Sequence, residues 1–441
     1  MGQRRLWIAA LLVSLGPGFA FAAGKAPMAA AQIPPGLGRA SGTDGEIARL
    51  QEALRKGPQT VQRLVALAAA CLQKSRETGD PSWLGRAGEA LQRAGALDPK
   101  DTDLLITSAS LGLSRHDFAG ALALADRVLG TEPINPSARL VRVDALVELG
   151  RYDEGRAALQ AILDQKPSPW AFARTAFFRE LYGDVDGAVD IMRVAANGRS
   201  GDRYAENEAW ARSQLAGLLI LQGRIDEAEL EYRHSLALFP GYVHGLAGLG
   251  RVAALRGRLE EAAGLYAQAV RAVPIGEYVI ALGEVLTLAG REAEARRQFE
   301  LVGAMAQLYR ASGVDMDLEM AQFDADHGTH LEKTVTDARA AYARRPSVKS
   351  ADVLGWLLYR SGRPAEALPL ARAAVRLGTK DPVILFHTGM AEASVGDKSA
   401  ARIALSAALA HGPAFLGIHA AAASRTLAEV GGSPALVDER P

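Results

Sequence analysis

Two stretches of this chain, GRIDEAELEYRHSLALFP (Gly223–Pro240) and GRLEEAAGLYAQAVRAVP (Gly257–Pro274), repeat one pattern 34 residues apart. A unit of that length is one supersecondary element. It cannot bury its apolar face alone, so neighbouring units must stack. That single period displaces the expectation of about three globular domains that 441 residues would otherwise raise. A stacked array has no single core and grows by addition of units.

The copy from Ala209 to Pro240 shows what each unit contains. A first helix, ARSQLAGLLILQ, ends at Gly223, and a second, IDEAELEYRHSLALF, stops at Pro240. Leu215, Leu218 and Leu219 recur at helical spacing, as do Ala228, Tyr232 and Leu236. Ala216 aligns with Gly250, Gly283, Gly355 and Gly389, and Ala228 with Ala262, Ala295, Ala367 and Ala401. Small residues at these two points let paired helices approach closely. Gly150, Gly183, Gly223, Gly257, Gly290, Gly362 and Gly396 mark the turns between helices. Pro99, Pro133, Pro167, Pro240, Pro274, Pro346 and Pro413 mark exits from second helices, because proline cannot continue a helix interior.

This order of small residue, turn Gly, Ala, aromatic, Ala and exit Pro resembles the tetratricopeptide repeat over about residues 60–413. The match is good in the copies near Ala209, Tyr242, Val348 and Pro382. It is weaker near Asp103, Pro136 and Pro169 and weakest near Val61 and Asp315, and the early tryptophan of the motif is mostly missing. The resemblance implies an all-α, right-handed superhelical solenoid of about ten stacked antiparallel helix pairs. It also implies a non-catalytic role in binding another protein, as in exported bacterial adaptors and assembly factors of this family.

Charge and composition narrow the partner. Lys+Arg and Asp+Glu are both 50, so the formal net charge is zero, and no general nucleic-acid surface is expected. At the N-terminus, Arg4 and Arg5 precede an apolar run, Leu6–Leu15, followed by Gly16-Pro17 and the small-residue pattern Ala20-Phe21-Ala22. The run is too short to span a bilayer, so residues 1–22 are expected to be a signal peptide cut before Ala23, which leaves no stable membrane span in the mature chain. Export to a periplasm or to the outside follows from that expectation. Residues 23–43 read as an Ala/Pro/Gly-rich leader, 44–200 as a degenerate repeat array and 201–413 as the better-kept array. Residues 414–430 read as a capping helix and 431–441 as a disordered tail. The segment 197–207 interrupts the period as a hinge or a longer loop, and the helix through Leu308, Tyr309 and Arg310 overruns its expected end. Cys71, the single cysteine, sits in an Ala-rich helix and is expected in the core.

No phosphate loop, Gly-x-Ser-x-Gly turn or activated Cys–His pair is present, so an enzyme is not expected. No cofactor is expected either. First helices should line the concave face, and register places Trp170, Arg174, Phe177, Trp210, Gln214, His244, Arg251, Glu284, Phe323, Asp352, Trp356 and Tyr359 there. Aromatics and Arg commonly anchor interfaces, so these residues form a candidate groove for a partner peptide or helix, with several of them alternatively filling gaps between repeats. Self-assembly into a homo-oligomeric scaffold is a second reading. A third centres on FDADHGTH, where Asp324, Asp326, His327 and His330 could hold a divalent metal, although these are also ordinary turn and cap residues.

Overall fold

In a computed structural model, residues 42–165, 167–198 and 205–432 are described. Those residues form 22 α-helices and no strand. After α1 (Gly42–Lys56) come ten antiparallel pairs. They are α2 (Val61–Thr78) with α3 (Ser82–Leu97), α4 (Thr102–Ser114) with α5 (Phe118–Thr131), and α6 (Pro136–Glu148) with α7 (Tyr152–Leu163). Next are α8 (Pro169–Leu181) with α9 (Val185–Asn197), α10 (Ala205–Leu221) with α11 (Ile225–Leu238), and α12 (Val243–Leu255) with α13 (Leu259–Ala272). The array closes with α14 (Gly276–Leu288) and α15 (Glu292–Ala311), α16 (Asp317–His327) and α17 (Leu331–Arg344), α18 (Val348–Arg360) and α19 (Pro364–Ala374), and α20 (Pro382–Ser394) and α21 (Lys398–Ala408). A 3-10 segment, Pro413–His419, and α22 (Ala420–Glu429) follow.

The expected turn punctuation operates in seven of the ten pairs. All seven turn glycines have φ between 71° and 85°, a left-handed conformation that a side chain would strain. The residue after the turn is often an Arg that pairs with a Glu three positions on, as in Arg151–Glu154, Arg224–Glu227 and Arg291–Glu294. The small positions have a definite partner sixteen residues later. A Cβ on Gly250 would lie 2.9 Å from the Tyr266 ring, and one on Gly389 2.6 Å from Leu405. Cys71 is buried, and desolvation pushes its thiol up to about 11.

First helices touch one another at several junctions (α2 with α4, α4 with α6, α10 with α12, α16 with α18, α18 with α20), which sets them on the inner side of the curve. The curve is tight enough to return upon itself. The Val348 N–H donates to the Tyr152 hydroxyl at 2.8 Å across 196 residues. The Asp315 N–H donates to the Arg115 carbonyl at 3.1 Å, and His116 Nδ1 lies 2.8 Å from the Asp315 carbonyl, 199 residues away. Gly183 packs on the Gly378 carbonyl, and Gly150 on that of Pro346. One superhelical turn therefore takes about six repeats, and the second turn sits directly on the first. The overrunning helix, α15, is 20 residues long, and its Tyr309 hydroxyl donates to the Gly79 carbonyl at 3.2 Å, tying it to the first pair.

Two expectations change at the ends, and others fall outside the described residues. Residues 1–41 and 433–441, which contain the expected signal peptide, most of the leader and most of the tail, lie outside the described residues, as do 199–204 of the irregular insert. Helix α1 starts at Gly42, inside the expected leader, because Thr43 is buried and its hydroxyl donates to Glu77 at 2.6 Å. The expected single capping helix is broken by Gly417, at φ 50° and ψ −122°. Its first part turns inward against α12, α14 and α20.

Candidate functional site

Cross-repeat geometry governs the inner face. Positions 30 to 35 residues apart on successive first helices lie side by side, so polar residues pair across repeats. Arg174 Nε donates to Asp144 at 2.6 Å, and Trp356 Nε1 donates to Asp326 at 2.8 Å. His387 Nδ1 lies 3.0 Å from Asp352, and His244 Nδ1 bonds the Tyr278 hydroxyl. This arrangement corrects the open-groove reading for several residues. Arg174, Glu284, Phe323, Asp352 and Trp356 are all buried and already have neighbours inside the protein. Phe323 packs at a tilt against Phe299 and His327, and Trp356 stacks with Tyr359 and with His387. Trp170 and Trp210, with ring centroids 6.4 Å apart, stay half-buried and line a shallow pocket with Asn207. Phe177, Gln214 and Tyr359 are also half-buried.

Arg251 remains partly accessible and marks a charged zone along the axis. It lies within electrostatic reach of Glu180 on α8, Glu277 on α14 and Asp381 at the start of α20. Desolvation by the surrounding first helices pushes these carboxyls up, Glu180 to about 8, Glu277 to about 7 and Asp381 to about 6, with Arg251 opposing. Glu148, buried at the end of α6, rises to about 7 for the same reason, opposed by Lys349 and Arg345. Lys349 also offsets Glu277, and with His116 and Arg345 it holds Glu319 down against its burial. Five carboxyls thus share the axis with Arg251, Arg345 and Lys349. Register on single helices did not indicate Glu148, Glu180, Glu277 or Lys349. Their common signal is a charge at the end of a first helix.

The FDADHGTH turn does not assemble as a metal centre. Asp324 accepts from Thr329 at 2.7 Å and Thr334 at 2.5 Å, with His330 at 3.3 Å, which is the work of a helix junction. His327 points the other way, to Glu284 at 3.1 Å, and burial lowers it to about 4. Asp326 turns to the inner face, where Gln322, Trp356 and His419 surround it.

The tetratricopeptide repeat family matches at residues 112–173, 214–277 and 353–414, on the same pairs that the structure stacks. The chain is a tetratricopeptide repeat protein. Such an array is a protein–protein interaction scaffold, and proteins of the family are typically non-catalytic. Among solved structures, the chain is similar to the APC/C hetero-tetramer Cut9–Hcn1 at 16 % identity and TM-score 0.39, over 87 % of this chain and 66 % of that one, so it spans just under two thirds of its length. It is also similar to MamA, at 18 % identity and TM-score 0.29, over 39 % of this chain and 91 % of that one. A tetratricopeptide repeat protein from Parabacteroides merdae matches at 13 % identity and TM-score 0.34, over 60 % and 99 %. No curated protein matches the chain. No single helix among the described residues is long and apolar enough to cross a membrane.

Proposed function

We propose that this repeat protein is an exported, non-catalytic adaptor that holds a basic, extended segment of a partner protein along its axis. The observation that carries this reading is the acidic excess around Arg251. Glu180 and Glu277 keep solvent access there while the surrounding helices desolvate them. A desolvated carboxyl gains most from an incoming cation, so Lys or Arg side chains of a partner would be drawn to these positions. The half-buried Trp170 and Trp210 would add apolar anchoring toward the start of α8 and α10. Peptide display against the purified full chain tests the reading. Enrichment of Lys/Arg-rich sequences, with affinity that falls with salt and is reduced in Glu180→Gln/Glu277→Gln, is expected. Enrichment of acidic or purely apolar peptides, or binding indifferent to both substitutions, would sink it. Export is tested separately by cell fractionation and N-terminal sequencing, where mature protein is expected to begin at Ala23.

A further inference from the structure

Three side chains that the repeat does not require meet where the C-terminal segment crosses the inner face. Asp326 comes from α16, His387 from α20 and His419 from the Pro413–His419 segment. Each brings one donor atom within 4.8 Å of the other two. Nothing in the family pattern places them together.

Their surroundings are those of an oriented ligand set. His387 is 2 % exposed; its Nδ1 is taken by Asp352 at 3.0 Å, and its Nε2 has no hydrogen-bond partner. A buried imidazole held at one nitrogen by a carboxylate and left bare at the other is how proteins orient histidine toward a metal. The Trp356 ring, stacked 4.2 Å from His387 at 12°, fixes the plane of the imidazole. Asp326 is held at Oδ1 by Trp356 Nε1 and at Oδ2 by Gln322 Nε2, both at 2.8 Å. His419 Nε2 is 3.1 Å from Asp326 Oδ1. Metal–ligand bonds of about 2.0–2.2 Å hold tetrahedral donors about 3.4 Å apart. That pair already meets this spacing, and a small shift of His387 completes it.

We propose that Asp326, His387 and His419 bind one divalent transition-metal ion, with water completing its coordination, and that the ion fastens the C-terminal segment to the inner face. Two imidazoles and one carboxylate suit zinc and its first-row neighbours rather than magnesium or calcium, which prefer oxygen. The ion would take the place of the hydrogen bond between His419 Nε2 and Asp326 Oδ1. It would also give His387 Nε2 the partner it lacks. The three ligands come from three separate elements, so the ion is a clasp on the end of the array and needs no reaction.

The test uses untagged full-length protein freed of metal by chelation, titrated calorimetrically with zinc chloride and followed by absorption with cobalt(II). One ion per chain is expected, with the intense visible bands of a four-coordinate cobalt site. Affinity should fall about ten-fold or more in His387→Ala and His419→Ala, and about 10- to 100-fold in Asp352→Asn, which only positions His387. His330→Ala, on a side chain 72 % exposed, should change nothing. Zinc should slow amide exchange across residues 413–420 in the wild type but not in His387→Ala. Absence of binding to the wild type overturns the proposal, as does binding unchanged in both histidine variants or lost only in His330→Ala. If His387→Ala does not fold, as judged by circular dichroism, His419→Gln at the edge of the cluster decides the same question.

Discussion

Glu148→Gln isolates the cost of placing carboxyls on the axis. Glu148 is 7 % exposed, and its folded-state value is pushed by burial from an ordinary 4.5 to about 7, with Lys349 and Arg345 opposing. The sign follows directly. Between these values the folded chain holds a proton that the unfolded chain has released, so stability falls as pH rises through the window. The full displacement corresponds to about 3 kcal/mol, of which about 2.5 kcal/mol is lost between pH 5 and pH 8. Glutamine has the same shape and no titration, so the variant escapes that loss. Wild-type stability alone is a poor readout, because His244 is lowered to about 4 by burial and loses stability in the opposite direction, as pH falls from 6.5 to 4. The difference between variant and wild type cancels that contribution. Repeat arrays need not unfold in one step. Hydrogen exchange of α6 and of residues 345–349, corrected for intrinsic rates, therefore reads the local free energy better than a melt. The variant is expected to gain about 2–3 kcal/mol on the wild type between pH 5 and pH 8. A gap constant to within about 0.5 kcal/mol would refute the claim that this carboxyl is held neutral.

Further substitutions probe other parts of the same scheme. Lys349→Met removes a cation that offsets both Glu148 and Glu277, so it should destabilise more at pH 8 than at pH 5 in denaturant titrations. Gly250→Leu forces a side chain into the Tyr266 ring and should cost about 1–3 kcal/mol, with partial recovery in Gly250→Leu/Tyr266→Ala. Tyr152→Phe strips the buried Val348 N–H of its acceptor, for a loss of about 1–3 kcal/mol. Gly183→Ala adds a Cβ against the Gly378 carbonyl at a residue with φ 78°, so it should loosen the two superhelical turns. Small-angle scattering should report a larger radius of gyration for it than for Gly257→Ala, whose Cβ would meet open space at nearly the same φ of 71°.

The two glycines in that last comparison also mark where the sequence stops being informative. As letters in the pattern, Gly183 and Gly257 are the same signal, a turn after a first helix, and the structure gives both the left-handed conformation that the signal implies. Contacts within a repeat, such as Gly250 on Tyr266, were readable because both partners recur in copy after copy. Contacts between adjacent repeats were half readable. The spacing of 30 to 35 residues brings Asp144 to Arg174 and Asp352 to His387, yet nothing local says that Arg174 and Asp352 satisfy neighbours rather than face a ligand. Contacts 195 to 200 residues apart were not readable at all. They depend on the pitch, which accumulates from small rotations at every junction, so no single residue encodes it. Arg251 and Glu277 meet charges from distant repeats, which no single copy shows, for that reason. The Asp326–His387–His419 meeting depends on pitch and also on the kink at Gly417. In a repeat protein, sequence similarity between copies therefore locates the fold, while chemistry gathers at positions set by the whole superhelix, where the copies differ.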